Sequence, residues 1–264
     1  MLSRVLLSGL SQTTNYFPPR RRRRLRFEKV HLSISISIYR FLYFLSIDDI
    51  LRDSRFMRLT QIKLFDLFYR AYRAWPRFYD SLTQLLSFGL WEKWQNRAFE
   101  DLFGKKILEI GVGPGSLLIN MVKKGYSVTG IELQQGMAFE ARRRVKQASI
   151  HVDILHQSVY HLPFNDEIFD CIVLTFVLAE IAELDRAIAE MKRVLKKGGK
   201  IIVIAGGMPQ DKNLAAKILF KLVMPHTTLR LERDNKIHFE KHGFRATRED
   251  FGPFNMINKI VAIK

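Results

Sequence analysis

The feature that most constrains this chain is residues 106–115, an apolar run that ends in an acid and enters a turn with three alternate glycines. A second apolar run, residues 127–132, follows after a stretch with room for one helix and ends in Glu132. Glycine lets the backbone turn sharply and approach a ligand closely. A carboxylate at the tip of the next strand can accept both hydroxyls of a ribose. The two runs therefore predict a nucleoside-binding βαβ unit.

The glycine spacing separates two classes of nucleoside cofactor. A dinucleotide fingerprint, Gly-x-Gly-x-x-Gly, would need glycine at position 116, but Ser116 stands there and the third glycine comes one residue earlier, at Gly115. The acid Glu109 would repel a pyrophosphate, whereas it would attract a cationic amino-acid group. The pattern therefore disfavours a nicotinamide dinucleotide. A glycine-rich turn without any ligand is disfavoured by the two well-placed acids.

Hydrophobic periodicity predicts the rest of the fold. Seven strands are predicted, at residues 106–111, 127–132, 150–156, 169–176, 200–205, 245–251 and 258–263. Helices are predicted at 116–124, 137–147 and 213–222, with another that carries Leu184, Ile188, Met191 and Leu195 on one stripe and a short one ending at Gly243. Strands that alternate with helices indicate an α/β protein with a doubly wound, mostly parallel sheet.

Residues 101–264 resemble the class I S-adenosylmethionine-dependent methyltransferases, and most closely their type 11 small-molecule branch. Residues 106–115 and Glu132 resemble the family's first motif and the acidic loop after it. Residues 162–170 resemble the loop into the fourth strand, residues 193–200 the turn before the fifth, and Gly243-Phe244 the entrance to the sixth. Residues 78–90 are similar to the N-terminal region of ubiquinone, menaquinone and some phospholipid methyltransferases, although residues 175–180 differ from the quinone branch.

The resemblance implies a Rossmann-like methyltransferase fold, S-adenosylmethionine as cofactor, and a set of cofactor contacts. The glycine turn would hold the amino-acid end, Glu109 its ammonium and Glu132 the ribose. Ser158 stands where the family commonly has an acid for the adenine amino group. Tyr79 is expected from the aromatic cap, and Thr175 and Phe176 from the carboxyl end of the fourth strand. The full set of predicted cofactor residues is Tyr79, Glu109, Gly111, Gly113, Pro114, Gly115, Glu132, Leu133, Met137, Ser158, Val159, Thr175 and Phe176.

The catalytic residues are not apparent from the sequence. Methyl transfer needs a general base only if the acceptor loses a proton, and histidine is the usual choice. Of seven histidines, His161 is the best placed, in the loop after Ser158, although a solvated loop histidine is the simpler interpretation. No cluster has metal-ligand spacing, so we expect no metal.

Composition divides the chain into three segments. Residues 1–56 hold eleven Lys and Arg against four Asp and Glu and include five consecutive arginines at 20–24. We interpret them as a poorly structured extension upstream of a natural start at Met57, with organelle targeting or a membrane or RNA anchor as alternatives. Residues 57–100, rich in aromatic residues, are interpreted as a helical cap or lid, and 101–264 as the methyltransferase domain.

The net charge of +17 leaves two classes of partner open, because a basic surface suits anionic membranes and RNA alike. We expect a small-molecule or lipid-like acceptor, peripheral contact with an anionic membrane and a cytoplasmic location. The alternatives are an RNA methyltransferase and an inactive cofactor-binding protein of the same fold. No RNA-binding module is visible in the sequence, which makes nucleic acid the less favoured partner. The single cysteine, Cys171, excludes a disulfide framework. The oligomeric state stays open.

Overall fold

The computed structural model describes residues 76–211, 230–231 and 233–264. The N-terminal extension 1–56, residues 57–75 of the proposed cap and the helix predicted at 213–222 lie outside the described residues. The division into three segments therefore remains a prediction.

The described residues form a seven-stranded sheet with the order β3-β2-β1-β4-β5-β7-β6. The strands are β1 (Lys106–Ile110), β2 (Ser127–Glu132), β3 (Asp153–His156), β4 (Phe169–Thr175), β5 (Leu195–Gly206), β6 (Arg245–Phe251) and β7 (Ile257–Ile263). β1 to β5 pair in parallel, and β7 pairs antiparallel with both β5 and β6. The predicted α/β fold with a mostly parallel sheet is confirmed.

Six α-helices flank the strands in the described part of the chain. They are α1 (Tyr79–Leu86), α2 (Trp91–Asn96), α3 (Ser116–Lys123), α4 (Gln135–Gln147), α5 (Leu184–Val194) and α6 (Asn235–Lys241). A short 3₁₀ turn, Pro76–Phe78, precedes α1, and another, Arg97–Glu100, follows α2. A further one, Leu178–Glu180, follows β4.

The apolar core lies on both faces of the sheet. Ile107 and Leu108 are adjacent in β1 and fully buried, yet they belong to opposite core clusters because successive strand residues point to opposite faces. One cluster includes Met191 of α5, and the other includes Leu118 of α3. Cys171 is fully buried in β4, as expected for a small apolar residue. Burial on both faces explains why the central strands are continuous apolar runs.

The direction of winding reverses between β1 and β4. The chain passes from β1 to β2 and β3 on one side, and then returns to β4 and β5 on the other. In open parallel sheets, ligands bind outside the carboxyl ends of the strands at such a reversal. The fold therefore predicts a ligand site at the carboxyl ends of β1, β2 and β4.

Several predicted boundaries were wrong in detail, and three of them matter for the fold and the site. β3 begins at Asp153 rather than at 150, and α4 begins at Gln135 rather than at 137. The turn expected at 198–199 lies inside β5, which already begins at Leu195, the last residue of the predicted helical stripe. The pairing of β4 with β5 shifts in register there, so residues 196–199 bulge out of the ladder without ending the strand.

Candidate active site

A cavity of about 370 Å³ opens at the carboxyl ends of the central strands. Its walls come from α1, the glycine turn, the ends of β1, β2 and β4, and the loops that follow β2, β3 and β4. The lining residues are Tyr79, Ile110, Gly111, Gly113, Ile131, Glu132, Leu133, Gln134, Gln157, Ser158, Val159, Tyr160, Thr175, Phe176, Val177, Glu180, Ile181 and Arg230. The cavity thus lies where the reversal of winding predicts a ligand site.

Glu132 is held rigidly at the end of β2. Its Oε2 accepts a hydrogen bond of 2.8 Å from the Gly113 backbone N–H, and its Oε1 accepts one of 2.8 Å from the Gln134 N–H. Burial raises the pKa of the carboxyl, although these backbone donors oppose that rise. Each carboxylate oxygen has a further lone pair. The Leu133 backbone also donates to this carboxylate, which still has lone-pair capacity for a molecule in the cavity.

All three glycines of the turn between β1 and α3 have positive φ angles, and Gly111 and Gly113 show why glycine is needed there. Gly111 has φ of 73°, and a Cβ there would lie 2.6 Å from Val177 Cγ2, which leaves no room for a side chain. Gly113 has φ of 56°, and a Cβ there would meet nothing within 4 Å. Since Gly113 also lines the cavity, its bare backbone is open to close approach by a ligand.

Glu109 is a buried carboxyl with an unfilled hydrogen-bonding position. The residue is 1% exposed, and its Oε2 has no hydrogen-bond partner among the described residues. Burial, and then the charge of Glu132, raise the pKa of Glu109 well above its usual range. An orphaned buried oxygen of this kind is costly. A cationic group bound nearby would relieve that cost.

The end of β4 is braced by α2. Thr175 Oγ1 accepts a hydrogen bond of 3.1 Å from Gln95 Nε2. Phe176 follows with φ of 57°, a left-handed conformation that is unusual for a bulky residue. Its ring stacks on Trp91 with the centroids 4.1 Å apart. Strained backbone of this kind persists where the surroundings enforce it, often at functional sites.

Tyr79 brings the first helix to the cavity. Its ring lies edge-on to Trp91, with the centroids 6.1 Å apart. Burial, followed by the charges of Glu180, Asp80 and Glu132, raises the pKa of the Tyr79 phenol above its usual value. Tyr79 therefore stays protonated at neutral pH and gives the cavity a neutral aromatic wall.

Comparison with known proteins places this geometry in a family. The family model described as "Methyltransferase domain" matches residues 108–203. The demethylmenaquinone methyltransferase of Thermus thermophilus is 31% identical over 157 residues, which are 57% of this chain and 71% of that protein. The chain belongs to the class I S-adenosylmethionine-dependent methyltransferases, in the type 11 branch. S-adenosylmethionine is accordingly the cofactor of this methyltransferase.

Two further comparisons agree with this assignment. The demethylmenaquinone methyltransferase of Clavibacter sepedonicus is 31% identical over 134 residues, and the match covers 50% of this chain and 54% of that protein. The match thus spans little more than half of that relative. A crystal structure of a SAM-dependent methyltransferase from Aquifex aeolicus, 20% identical, shares the fold with a TM-score of 0.51 over 64% of this chain and 88% of that one.

The methyltransferase has most of its sequence-predicted cofactor residues at the cavity. Those that line it are Tyr79, Gly111, Gly113, Glu132, Leu133, Ser158, Val159, Thr175 and Phe176. Four others do not line it, namely Glu109, Pro114, Gly115 and Met137. Pro114 and Gly115 are buried within the turn itself.

Two predicted side chains have positions that differ from their expected roles. Met137 is fully buried in the first turns of α4, so it has no exposed surface with which to flank an adenine. The helix begins at Gln135, two residues earlier than expected, so position 137 lies within its first turn. His161 is exposed and does not line the cavity, so the structure does not bring the weak general-base candidate to the site.

Several cavity residues were missed in the sequence. Gln134 lies two residues after Glu132, and its backbone N–H donates a hydrogen bond to that carboxylate. Because the two residues are so close in the chain, the acid at the end of the strand could have indicated that Gln134 lies at the site. Tyr160, whose hydroxyl accepts from the backbone N–H groups of Ala182 and Glu183, ties two cavity loops together and has no local signal. No group of three or more His, Cys, Asp or Glu with metal-site geometry occurs among the described residues.

Proposed function

We propose that this methyltransferase transfers the methyl group to a small, lipid-like acceptor, and that cofactor and acceptor meet in the cavity at the carboxyl ends of β1, β2 and β4. The relatives from Thermus thermophilus and Clavibacter sepedonicus are demethylmenaquinone methyltransferases. The acceptor proposed here is therefore a demethylated quinone or a compound of similar shape.

The observation that carries this proposal is the apolar character of the cavity rim. Leu133 lines the cavity and is 65% exposed. Phe78 does not line the cavity but directly precedes Tyr79, which does, and it is 63% exposed. Exposed apolar side chains that rim a cavity mark a surface where an apolar ligand or a membrane approaches. A soluble, highly charged acceptor would gain nothing from these side chains.

Two residues of the cavity, and the buried Glu109 of β1, fit the cofactor. The remaining lone-pair capacity of Glu132 matches a ribose hydroxyl, and the open backbone at Gly113 allows the nucleoside to approach. The orphaned Oε2 of Glu109 matches an ammonium. When bound, S-adenosylmethionine supplies a methyl group on a positively charged sulfur.

The protein's own contribution is positioning and exclusion of water. Thr175 and Phe176 hold the end of β4 in a fixed geometry through Gln95 and Trp91. Tyr79 closes the cavity from the side of α1. Transfer of a methyl group is an in-line displacement, so its rate depends on how well two reactants are aligned. These side chains therefore act as walls that orient the acceptor.

The test is methyl transfer by the full chain with radiolabelled S-adenosylmethionine and three separate acceptors. These are demethylmenaquinone in detergent, phosphatidylethanolamine vesicles and purified RNA. We expect label in the quinone. Glu132→Ala should weaken binding of S-adenosylhomocysteine at least tenfold, or about 1.4 kcal/mol, because a buried acceptor is lost.

The matched control is Glu183→Ala. Glu183 is also an acid near the cavity loops, but its side chain is 63% exposed and does not line the cavity. Its replacement should leave cofactor affinity unchanged. Label in RNA alone would replace the proposed acceptor with nucleic acid, and the absence of label from every acceptor would support a binding protein instead.

A further inference from the structure

We propose that Asp80, Ser116 and Arg144 form a latch that positions α1 against the glycine turn and slows release of the cofactor. This Asp80 latch consists of those three side chains and rests on the proposed cofactor site. It assigns a positioning role to residues that do not themselves line the cavity.

The latch joins three helices. Ser116 Oγ, at the start of α3, donates a hydrogen bond of 2.7 Å to Asp80 Oδ2 in α1. Arg144 Nη1, in α4, pairs with the same Asp80 oxygen and donates to Ser116 Oγ at 3.2 Å. The other side of the guanidinium is held by Glu140, whose Oε1 lies 3.0 Å from Arg144 Nε. Arg144 is therefore fixed in direction before it reaches Asp80.

The surroundings make this contact stronger than a typical surface ion pair. The side chains of Arg144 and Asp80 are 20% and 31% exposed, and that of Glu140 is 3% exposed. Exposed pairs contribute little because water screens them, whereas charge-assisted hydrogen bonds within a partly buried network are among the strong ones. The carboxylate of Asp80 also lies at the amino end of α3, where the helix dipole favours a negative charge.

The latch is connected to the cavity on two sides. Asp80 follows Tyr79, which lines the cavity and contacts Trp91, the residue that stacks on Phe176. Ser116 follows directly after the glycine turn. Loss of the latch would therefore free Tyr79 and the first turn of α3 together. Since these elements flank the same opening, a bound molecule would leave more easily.

The chain offers a matched control in Arg143. Arg143 precedes Arg144 in α4 and pairs with the same Glu140, at 2.6 Å between Nη2 and Oε1. It has no hydrogen bond or ion pair with Asp80 or Ser116 in the described structure. Arg143→Gln therefore removes an arginine and a Glu140 ion pair without breaking the latch.

The experiment measures S-adenosylhomocysteine binding by the full chain, with the affinity from calorimetry and the dissociation rate from stopped-flow fluorescence. We expect Asp80→Ala and Arg144→Gln each to weaken affinity about tenfold, mainly through faster dissociation. The double variant should be no weaker than either single one, because both changes break one interaction. Arg144→Lys should recover part of the affinity, and Arg143→Gln should match the wild type.

The possible failures are distinguishable. Absence of binding by the wild type would contradict the proposed cofactor site itself. Normal binding and dissociation by Asp80→Ala and Arg144→Gln, alongside a binding wild type, would overturn the latch alone. Lower melting temperatures with unchanged dissociation rates would also overturn it, since they indicate only packing. If neither variant folds, Ser116→Ala and Arg144→Lys decide: faster dissociation supports the latch, and unchanged rates in both overturn it.

Discussion

Glu109 and Glu132 show how two carboxylates of one motif acquire different properties from their surroundings. Glu132 accepts two backbone hydrogen bonds, which oppose the effect of burial on its pKa. The Oε2 of Glu109 has no partner among the described residues, and burial together with the nearby Glu132 charge raises its pKa well above the usual range. Glu109 is thus the residue at which ligand-free stability should depend most clearly on pH.

Glu109→Gln should remove a pH-dependent loss of folding stability from the ligand-free protein. A group whose pKa is raised on folding binds its proton more tightly in the folded state, so stability falls as pH rises above the unfolded pKa of about 4.3. We therefore expect the variant to gain stability relative to the wild type as pH rises from about 5 to about 8. Thermal unfolding of both proteins across this range measures the difference.

Glu100→Gln is the control with the opposite sign. A hydrogen bond from Lys259, and one from Arg97, hold the pKa of Glu100 below its usual value against the effect of burial. Its contribution to stability is present above the unfolded pKa and is lost as pH falls through the folded pKa. A pH-independent difference between wild type and Glu109→Gln would show that Glu109 is not buried and unpaired as described.

At the scale of elements, the amino end of the sheet is secured by one side chain. Asp170 Oδ2, in β4, accepts hydrogen bonds of 2.9 Å from the backbone N–H groups of Lys105 and Lys106, where β1 begins. Its Oδ1 accepts one of 2.6 Å from Lys196 Nζ, where β5 begins. One carboxylate therefore ties together the starts of three adjacent strands, opposite the end that carries the cavity.

Asp170→Asn should lower the free energy of unfolding by roughly 1 to 3 kcal/mol, because charge-assisted hydrogen bonds are lost. Burial alone would raise the pKa of Asp170, but the hydrogen bonds from Lys106, Lys196 and Lys105 lower it to about 2. The stabilisation is thus present above the unfolded pKa of about 3.9 and is lost as pH falls towards the folded value. Urea unfolding at neutral and acid pH measures both effects.

Asp166→Asn provides the comparison for that experiment. Asp166 also pairs with a cation, Arg193 Nη1 at 2.8 Å, but its side chain is 72% exposed. An exposed pair contributes less than about 1 kcal/mol. Equal losses from the two variants would mean that Asp170 acts as an ordinary surface charge rather than as a clamp between strands.

At the scale of the whole molecule, peripheral contact with an anionic membrane remains a prediction, which charge and exposed apolar side chains make testable. The net charge is +17. The described residues contain no helix that is long and apolar enough to cross a bilayer. Phe88, in the turn between α1 and α2, is 86% exposed, and Phe78, before α1, is 63% exposed. Exposed aromatic side chains and basic residues together favour peripheral binding to anionic membranes.

Phe78→Ser and Phe88→Ser should each weaken binding of the full chain to phosphatidylglycerol vesicles by roughly tenfold, because each substitution removes an aromatic ring that we expect to be buried in the lipid interface. Cosedimentation measures the partitioning. Phe103→Ser is the control, since Phe103 is 50% exposed but precedes the amino end of β1, opposite the strand ends that carry the cavity. Unchanged sedimentation of the Phe78→Ser, Phe88→Ser double variant would rule out this surface as the membrane contact.

The cofactor class and the fold could be predicted because their signals are local. The glycine spacing and the acids Glu109 and Glu132 are close in sequence, and backbone geometry over a few residues limits what such a turn can bind. Continuous apolar runs such as β4 identify strands that are buried on both faces, whatever their neighbours. The alternation of strands with helices indicated a mostly parallel sheet, whereas the order of the strands is known only from the structure.

Only the tertiary structure decided which distant side chains meet. Asp80 and Arg144 are 64 residues apart, and nothing in the pattern of either helix specifies their contact. The left-handed backbone of Phe176 depends on Trp91, which stacks on its ring from α2. Met137 is fully buried in α4, on a face of the helix that only its packing on the rest of the fold determines. Local preference fixes which element forms, whereas the packing of one element on another determines which of its side chains reach the site.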